Sequence, residues 1–274
     1  MPPKLVVTRP AAQAGHWVER LRERGVDAIA QPLIEIAAPA DPAAVAAAWR
    51  GLERHAFVMF VSANAVERFA ELRPPGSSWP AALEAGATGP GTAAALCAAG
   101  VPPALVVAPA ADAASHDSEA LWQRIAQRPW AGRRVLVVRG EEGREWLAER
   151  WRDAGAAVEF VAAYRRVLPR LDAPARARLD DALARPREHC WWFTSSQAVD
   201  HLRRLAPAAD FGAACALASH PRIAARARAA GFGRVAEVAP GIESLVHAVA
   251  SDERLGERTA RPARRGAAPR IPRP

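Results

Sequence analysis

The sequence predicts an α/β protein made of two doubly wound, parallel-sheet domains that arose by internal duplication. Two observations carry that expectation. Short, wholly apolar runs stop abruptly in small polar residues and then open an amphipathic pattern, as strands buried on both faces and followed by helices do. That grammar also recurs at a nearly constant offset. Phe57 to Val66 reads apolar run, Ser62, Ala63, Asn64, helix; Cys190 to Val199 reads apolar run, Ser195, Ser196, Gln197, helix; and Ser195 stands 133 residues after Ser62.

Taken in order, Leu5-Val6-Val7 is a strand and Thr8-Arg9-Pro10 its exit. A helix through Trp17, Val18 and Leu21 stops at Gly25, where a C-terminal glycine is expected. Val26 to Ala30 is a second strand, and Gln31 to Ile36 alternates as an extended segment. Asp41-Pro42 caps a helix through Val45 and Trp49. The strand at 57–61 leads into a helix from Asn64 to about Leu72. Ala85 to Thr88 is a short strand, Gly89-Pro90-Gly91-Thr92 opens a helix ending at Gly100, Leu105 to Val107 is a strand, and Ser118-Glu119 starts another helix. The second half repeats the first. Val135 to Val138 matches Leu5 to Val7, Gly155 matches Gly25 at an offset of 130, and His220-Pro221 matches Gly89-Pro90 at 131. Val235 to Val238 is a last strand and Ile242 to Val249 a last helix. Repeated β/α units of this kind form open sheets, and two of them predict two domains facing across a cleft.

Composition narrows the function. Half of the 274 residues are apolar and 24% are charged, as in an ordinary globular protein. No run approaches the roughly 20 apolar residues of a membrane helix, and Met1-Pro-Pro-Lys leads straight into a strand, so no signal peptide is expected. Cys97, Cys190 and Cys215 lack metal spacing and are expected as buried, reduced thiols in a cytoplasmic protein. The formal charge is +8, but from Ser251 onward seven arginines stand against three acidic residues, which is half of that excess. The body is therefore only mildly basic. It suits an acidic small molecule and does not demand nucleic acid. Residues 252–274, rich in Arg, Pro and Ala without apolar period, are expected to be a disordered tail.

The stronger chemical signatures are missing. There is no phosphate-binding Gly-x-x-x-x-Gly-Lys loop, dinucleotide fingerprint, His-Glu-x-x-His, Cys-x-x-Cys or Gly-x-Ser-x-Gly, and no metal or cofactor is expected. What remains is a set of polar loops at the carboxyl ends of strands: Thr8-Arg9; Ser62-Ala63-Asn64; Thr88-Gly89 with Thr92; Arg139-Gly140; Ser195-Ser196-Gln197; and Ser219-His220 with Arg222. Helix N-termini there offer N–H donors and a favourable dipole, worth about 0.3–1 kcal/mol per anionic group. Spread over a cleft, such loops suit a ligand carrying many carboxylates. Tyr164, the only tyrosine, precedes Arg165-Arg166. A phenol can donate a proton to a departing hydroxyl, or it can be a wedge in a hinge. His220 reads either as a ligand contact or as a helix start.

These motifs, in this order, resemble the uroporphyrinogen-III synthase family over about residues 4–250: Val7-Thr8-Arg9-Pro10, Pro32 to Ile36, Phe60 to Val66, Gly89 to Ala93, Val138-Arg139-Gly140 with Gly143-Arg144, Tyr164-Arg165, Phe193 to Ser196, and His220 to Ala224. The resemblance implies two α/β domains joined by a two-stranded linker near 32–38 and 160–168. One domain would combine 1–36 with 168–251 and the other would be 39–163. The first βαβ of each repeat would complete the other repeat's sheet. It also implies the reaction. Hydroxymethylbilane, a linear tetrapyrrole with acetate and propionate arms on every ring, loses water, inverts its last ring and closes to uroporphyrinogen III. No cofactor and no metal are implied, and a monomer acting on this small molecule is expected. Tyr164 matches the tyrosine that the family places near the departing hydroxyl, and is carried over as an assisting donor. The family's threonine near the second-repeat strand end appears as Ser219-His220, which weakens a direct role for that hydroxyl. Two other classes compete: a binding protein that holds a polyanion without turnover, and a nucleic-acid binder acting through the arginine tail.

Overall fold

A computed structural model describes residues 2–110 and 118–255. The chain opens with β1 (Lys4–Val7), α1 (Ala11–Arg22), β2 (Ala28–Ala30) and β3 (Glu35–Ala37). There follow α2 (Pro42–Arg50), β4 (Phe57–Phe60), α3 (Ala63–Glu71), β5 (Glu84–Ala87), α4 (Pro90–Ala98), β6 (Val106–Val107) and α5 (Ser118–Ile125). Then come β7 (Arg134–Gly140), α6 (Trp146–Asp153), β8 (Ala157–Val167), α7 (Ala173–Ala184), β9 (His189–Phe193), α8 (Ser196–Leu205), β10 (Cys215–Ala218), α9 (Pro221–Ala229), β11 (Arg234–Glu237) and α10 (Ile242–Leu255). The last helix thus runs four residues into the segment expected as a tail; 256–274 lie outside the described residues.

Two compact units result. One holds residues 1–35 and those from 168 on; the other holds 36–167, so Tyr164 belongs to the second. The first unit carries a five-stranded sheet in the order β11-β10-β9-β1-β2, with every pairing parallel. The second carries six strands in the order β3-β8-β7-β4-β5-β6, parallel from β8 to β6. The β1-α1-β2 segment of the first half of the chain therefore shares a sheet with β9 to β11 of the second half. Conversely, β7-α6-β8 shares one with β4 to β6.

The apolar runs explain the layers. His-Cys-Trp-Trp-Phe in β9 and Phe-Val-Met-Phe in β4 are buried at every position, because helices cover both faces of a parallel sheet. In the second unit the pleat divides the strands. Val58, Phe60, Leu136 and Val138 enter one core with Phe69 and Trp49; Phe57, Met59, Val135 and Val137 enter the other with Trp130 and Trp151. The first unit packs Leu5, Val7, Leu21, Trp192, Leu217 and Leu245 together. Fully burying a side chain of this size contributes about 1.5–3 kcal/mol. Gly25 and Gly155, the matched helix stops, both take positive φ, 78° and 84°, which a side chain would strain. The cysteine expectation needs a correction. Cys190 and Cys215 are buried opposite each other on β9 and β10, but Cys97 is exposed on α4, where the sparse apolar pattern of that small-residue helix leaves one side to solvent.

Candidate active site

In the second unit two of the polar loops, those at Ser62 and Gly140, border Tyr164. The strand pair β7/β8 keeps regular register up to Arg139↔Ala162, then shifts, so that Gly140 pairs with Tyr164. That extra residue is a β-bulge, a device that re-aims a side chain. Without it, alternation would place Val161 and Ala163 inside and Tyr164 outside. With it, all three are buried in one cluster. Tyr164 is 1% exposed, and its hydroxyl lies 3.3 Å from Ser62 Oγ and accepts from Arg166 Nη2 at 3.4 Å. Ser62 is also the N-cap of α3, accepting from the Ala65 N–H at 3.3 Å. The Gly140 backbone lies against the phenol ring, where a Cβ would come within 3.1 Å of Tyr164 Cε2 and Cζ.

The neighbouring loops are more engaged than the sequence suggests. Ala63 opens α3 and Asn64 is buried in its first turn. Thr88 donates its hydroxyl to the Val61 carbonyl at 3.3 Å. Gly89 caps α4 without a side chain, and Thr92 is buried inside it. The Arg139 guanidinium is paired at 3.2 Å with Glu145, a carboxylate that Arg152 shares at 3.7 Å, and lies 4.7 Å from the Phe160 ring.

The corresponding rim of the first unit is built on β1, β9 and β10. Thr8 is 1% exposed, and its hydroxyl donates to the Trp192 carbonyl at 2.6 Å. It ties β1 to β9 and turns away from solvent. Ser195 caps α8 by accepting from the Gln197 N–H at 3.2 Å. The Ser196 hydroxyl oxygen is buried with no partner among the described residues. The Ser219 N–H is spent on the Phe193 carbonyl at 3.1 Å. His220 is a helix start: its Nδ1 accepts from the Arg222 N–H at 3.1 Å, while Arg222 itself is exposed.

Arg9 differs from these. Its Nε donates to Gln13 Oε1 at 3.0 Å, and its guanidinium sits 5.1 Å from the Trp17 ring and 5.8 Å from the Trp192 ring. No acidic partner is found for it among the described residues, and burial pushes its pKa down. A half-buried cation without a counter-ion is suited to receive a carboxylate. Sequence reasoning missed Arg166 and the Gln13/Trp17/Trp192 cradle. The Tyr-x-Arg spacing on a strand was the available signal for the first; the cradle joins residues too distant in sequence to be seen.

Among the described residues no group of three potential metal ligands occurs, and no helix is long and apolar enough to cross a membrane. A sequence model of the family described as "HEM4: Uroporphyrinogen-III synthase HemD" matches residues 15–247. The uroporphyrinogen-III synthase of Salmonella typhimurium is 33% identical over 174 residues, spanning 63% of this chain and 69% of that protein. A crystal structure of a mutant uroporphyrinogen III synthase of Thermus thermophilus superposes with a TM-score of 0.55 at 17% identity, covering 92% of this chain and 99% of that one. The uroporphyrinogen-III synthetase of Helicobacter pylori gives a TM-score of 0.56 at 15% identity, with 91% and 99% covered. The last two likenesses concern the fold.

Proposed function

The chain belongs to the uroporphyrinogen-III synthase family, and on that premise we propose that Tyr164, held by Ser62, assists the dehydrating ring closure of hydroxymethylbilane to uroporphyrinogen III while polar rims grip the substrate's carboxylates. The enzyme is a cyclising lyase of tetrapyrrole biosynthesis. The observation that carries the site assignment is the phenol hydroxyl bracketed by the Ser62 and Arg166 side chains, 3.3 and 3.4 Å away.

The chemistry asks little of an acid or base. When the hydroxymethyl C–O bond breaks, the pyrroles themselves stabilise the azafulvene cation, and the departing oxygen needs one proton to leave as water. Tyr164 supplies it. Attack through the substituted carbon of the last ring leaves that carbon quaternary, with no proton to lose, so its bond to the original methylene bridge breaks. The freed methylene then joins the unsubstituted α-carbon of the inverted ring, and the proton that this carbon gives up on rearomatising restores the phenol. The larger demand is conformational: a long, flexible chain must present the substituted carbon of its last ring to that cation. Holding it so converts an improbable encounter into a near-attack geometry, an effect that can supply several kcal/mol. Arg9, the first N–H groups of α3 and α8 at Ala63 and Ser196, the α4 start at Gly89, and exposed Arg222 are the groups proposed to hold carboxylates. The same reading takes the enzyme as a cytoplasmic monomer acting on a small molecule, which sedimentation of the purified protein checks.

Incubation with hydroxymethylbilane, followed by separation of the products, tests the reading. The type III isomer should form at a rate proportional to enzyme; only the spontaneous type I isomer would leave a binding protein. Tyr164→Phe should lower kcat about tenfold to a hundredfold, about 1.4–2.7 kcal/mol of barrier, with the type III product retained.

A further inference from the structure

The strand that carries Tyr164 continues two residues to Arg166. In an extended strand, residues i and i+2 share a face, so once the bulge has turned Tyr164 inward, Arg166 follows on the same side. Arg165 points elsewhere, donating its Nε to the Ala38 carbonyl at 3.0 Å. Arg166 Nη2 donates to the phenol oxygen at 3.4 Å, and its guanidinium carbon lies 5.8 Å from the ring centroid. The residue is exposed, so the contact is not forced by core packing.

Hydrogen-bond direction gives this contact a consequence. A phenol oxygen has one proton to donate and lone pairs to accept with, whereas a guanidinium only donates. With Arg166 occupying an acceptor position, the phenol proton points either to Ser62 Oγ or away from both neighbours. Ser62 can itself be the donor in its contact with the phenol. With both neighbours donating, the phenol proton is committed to neither of them. When that proton passes to a departing hydroxyl, negative charge appears on the oxygen that the cation already touches, and fixed donors aimed at developing charge favour the transition state over the ground state.

We infer that Arg166 is a positioning residue for the dehydration step: it orients the Tyr164 hydroxyl as a donor and stabilises the phenolate formed when its proton leaves with the hydroxyl oxygen as water. This rests on the assignment of Tyr164 made above. The alternative is that Arg166 simply grips a substrate carboxylate, in which case it would act on binding and independently of Tyr164.

A double-mutant cycle with hydroxymethylbilane turnover separates these roles. Wild type, Arg166→Met, Arg166→Lys, Tyr164→Phe and Tyr164→Phe/Arg166→Met are compared, with thermal melts verifying folding. Arg166→Met should lower kcat about five- to twentyfold with KM changed less than about twofold, and Arg166→Lys should recover part of the loss. In the Tyr164→Phe background the Arg166→Met change should have no further effect on kcat. Equal losses in both backgrounds, or a loss confined to KM, overturn the inference while leaving Tyr164 in place. A Tyr164→Phe enzyme with wild-type kcat removes the assignment on which it depends.

Discussion

At the residue scale, Arg9 and Thr8 are neighbours with opposite duties. The Thr8 hydroxyl is consumed by the Trp192 carbonyl and serves the sheet. Arg9, with its guanidinium beside two indole rings and no acidic partner among the described residues, carries a cost instead. Burial disfavours its charged form, and contact with the indoles returns only about 0.5–1 kcal/mol. A carboxylate from the substrate would supply the missing counter-charge. Replacing Arg9 by Met keeps the length and the apolar contact while removing the charge. Arg9→Met should therefore raise KM about tenfold, equivalent to about 1.4 kcal/mol, with kcat within about twofold of wild type. Its melting temperature should be unchanged or higher, because a partly desolvated charge has gone. Steady-state kinetics and a calorimetric melt on the same preparation measure both; an unchanged KM would reduce Arg9 to a stacking partner of Trp17.

At the element scale, the irregularity in β8 matters more than its length. The register shift between Arg139 and Gly140 brings Tyr164 opposite Gly140, and the missing side chain there leaves the phenol its place. A Cβ on Gly140 would lie 3.1 Å from two ring carbons and 3.4 Å from the hydroxyl oxygen, closer than packed carbons tolerate. The ring would have to shift by a few tenths of an ångström, which disturbs its contacts with Ser62 and Arg166. Gly140→Ala should cost about 1–3 kcal/mol in urea unfolding and lower kcat about three- to tenfold, with a smaller effect on KM. Gly140→Ala with wild-type kcat would show that the phenol position is not critical. The existence of β7 was legible in its apolar run, and so were the helix starts at Ser62 and Ser195, since each is written in consecutive residues, whereas the extended segment that became β8 was expected only through the family resemblance. The bulge was not, because an extra residue in a ladder is defined by its partner strand, and nothing in Ala162-Ala163-Tyr164 distinguishes it. Nor was the spending of hydroxyls: Thr8 and Trp192 are 184 residues apart, and no local pattern says that this threonine faces a carbonyl.

At the scale of the whole molecule, the offsets near 130 residues disclosed a repeat but not which copy of each segment pairs with which. That strand β1 lies beside β9, while β7 lies beside β4, is a matter of topology. The sequence pattern is equally compatible with each half closing its own sheet, and only the family resemblance implied the exchange. Charge distribution, by contrast, was readable from the start and leads to a test. Residues 256–274 hold six arginines and one glutamate, so removing them lowers the formal charge from +8 to +3. Every candidate site residue lies between Thr8 and Arg222, and the family match ends at 247. The removed charge can then act on a polyanionic substrate only through long-range attraction, which hastens encounter and is screened beyond about 10 Å at 0.1 M salt. A chain ending at Leu255 should keep kcat within about twofold of the full chain. Its kcat/KM should fall modestly at low ionic strength and converge with that of the full chain in about 0.5 M salt. A tenfold drop in kcat that persists at high salt would mean that the segment contributes directly to turnover, and not merely to the field that draws the substrate in.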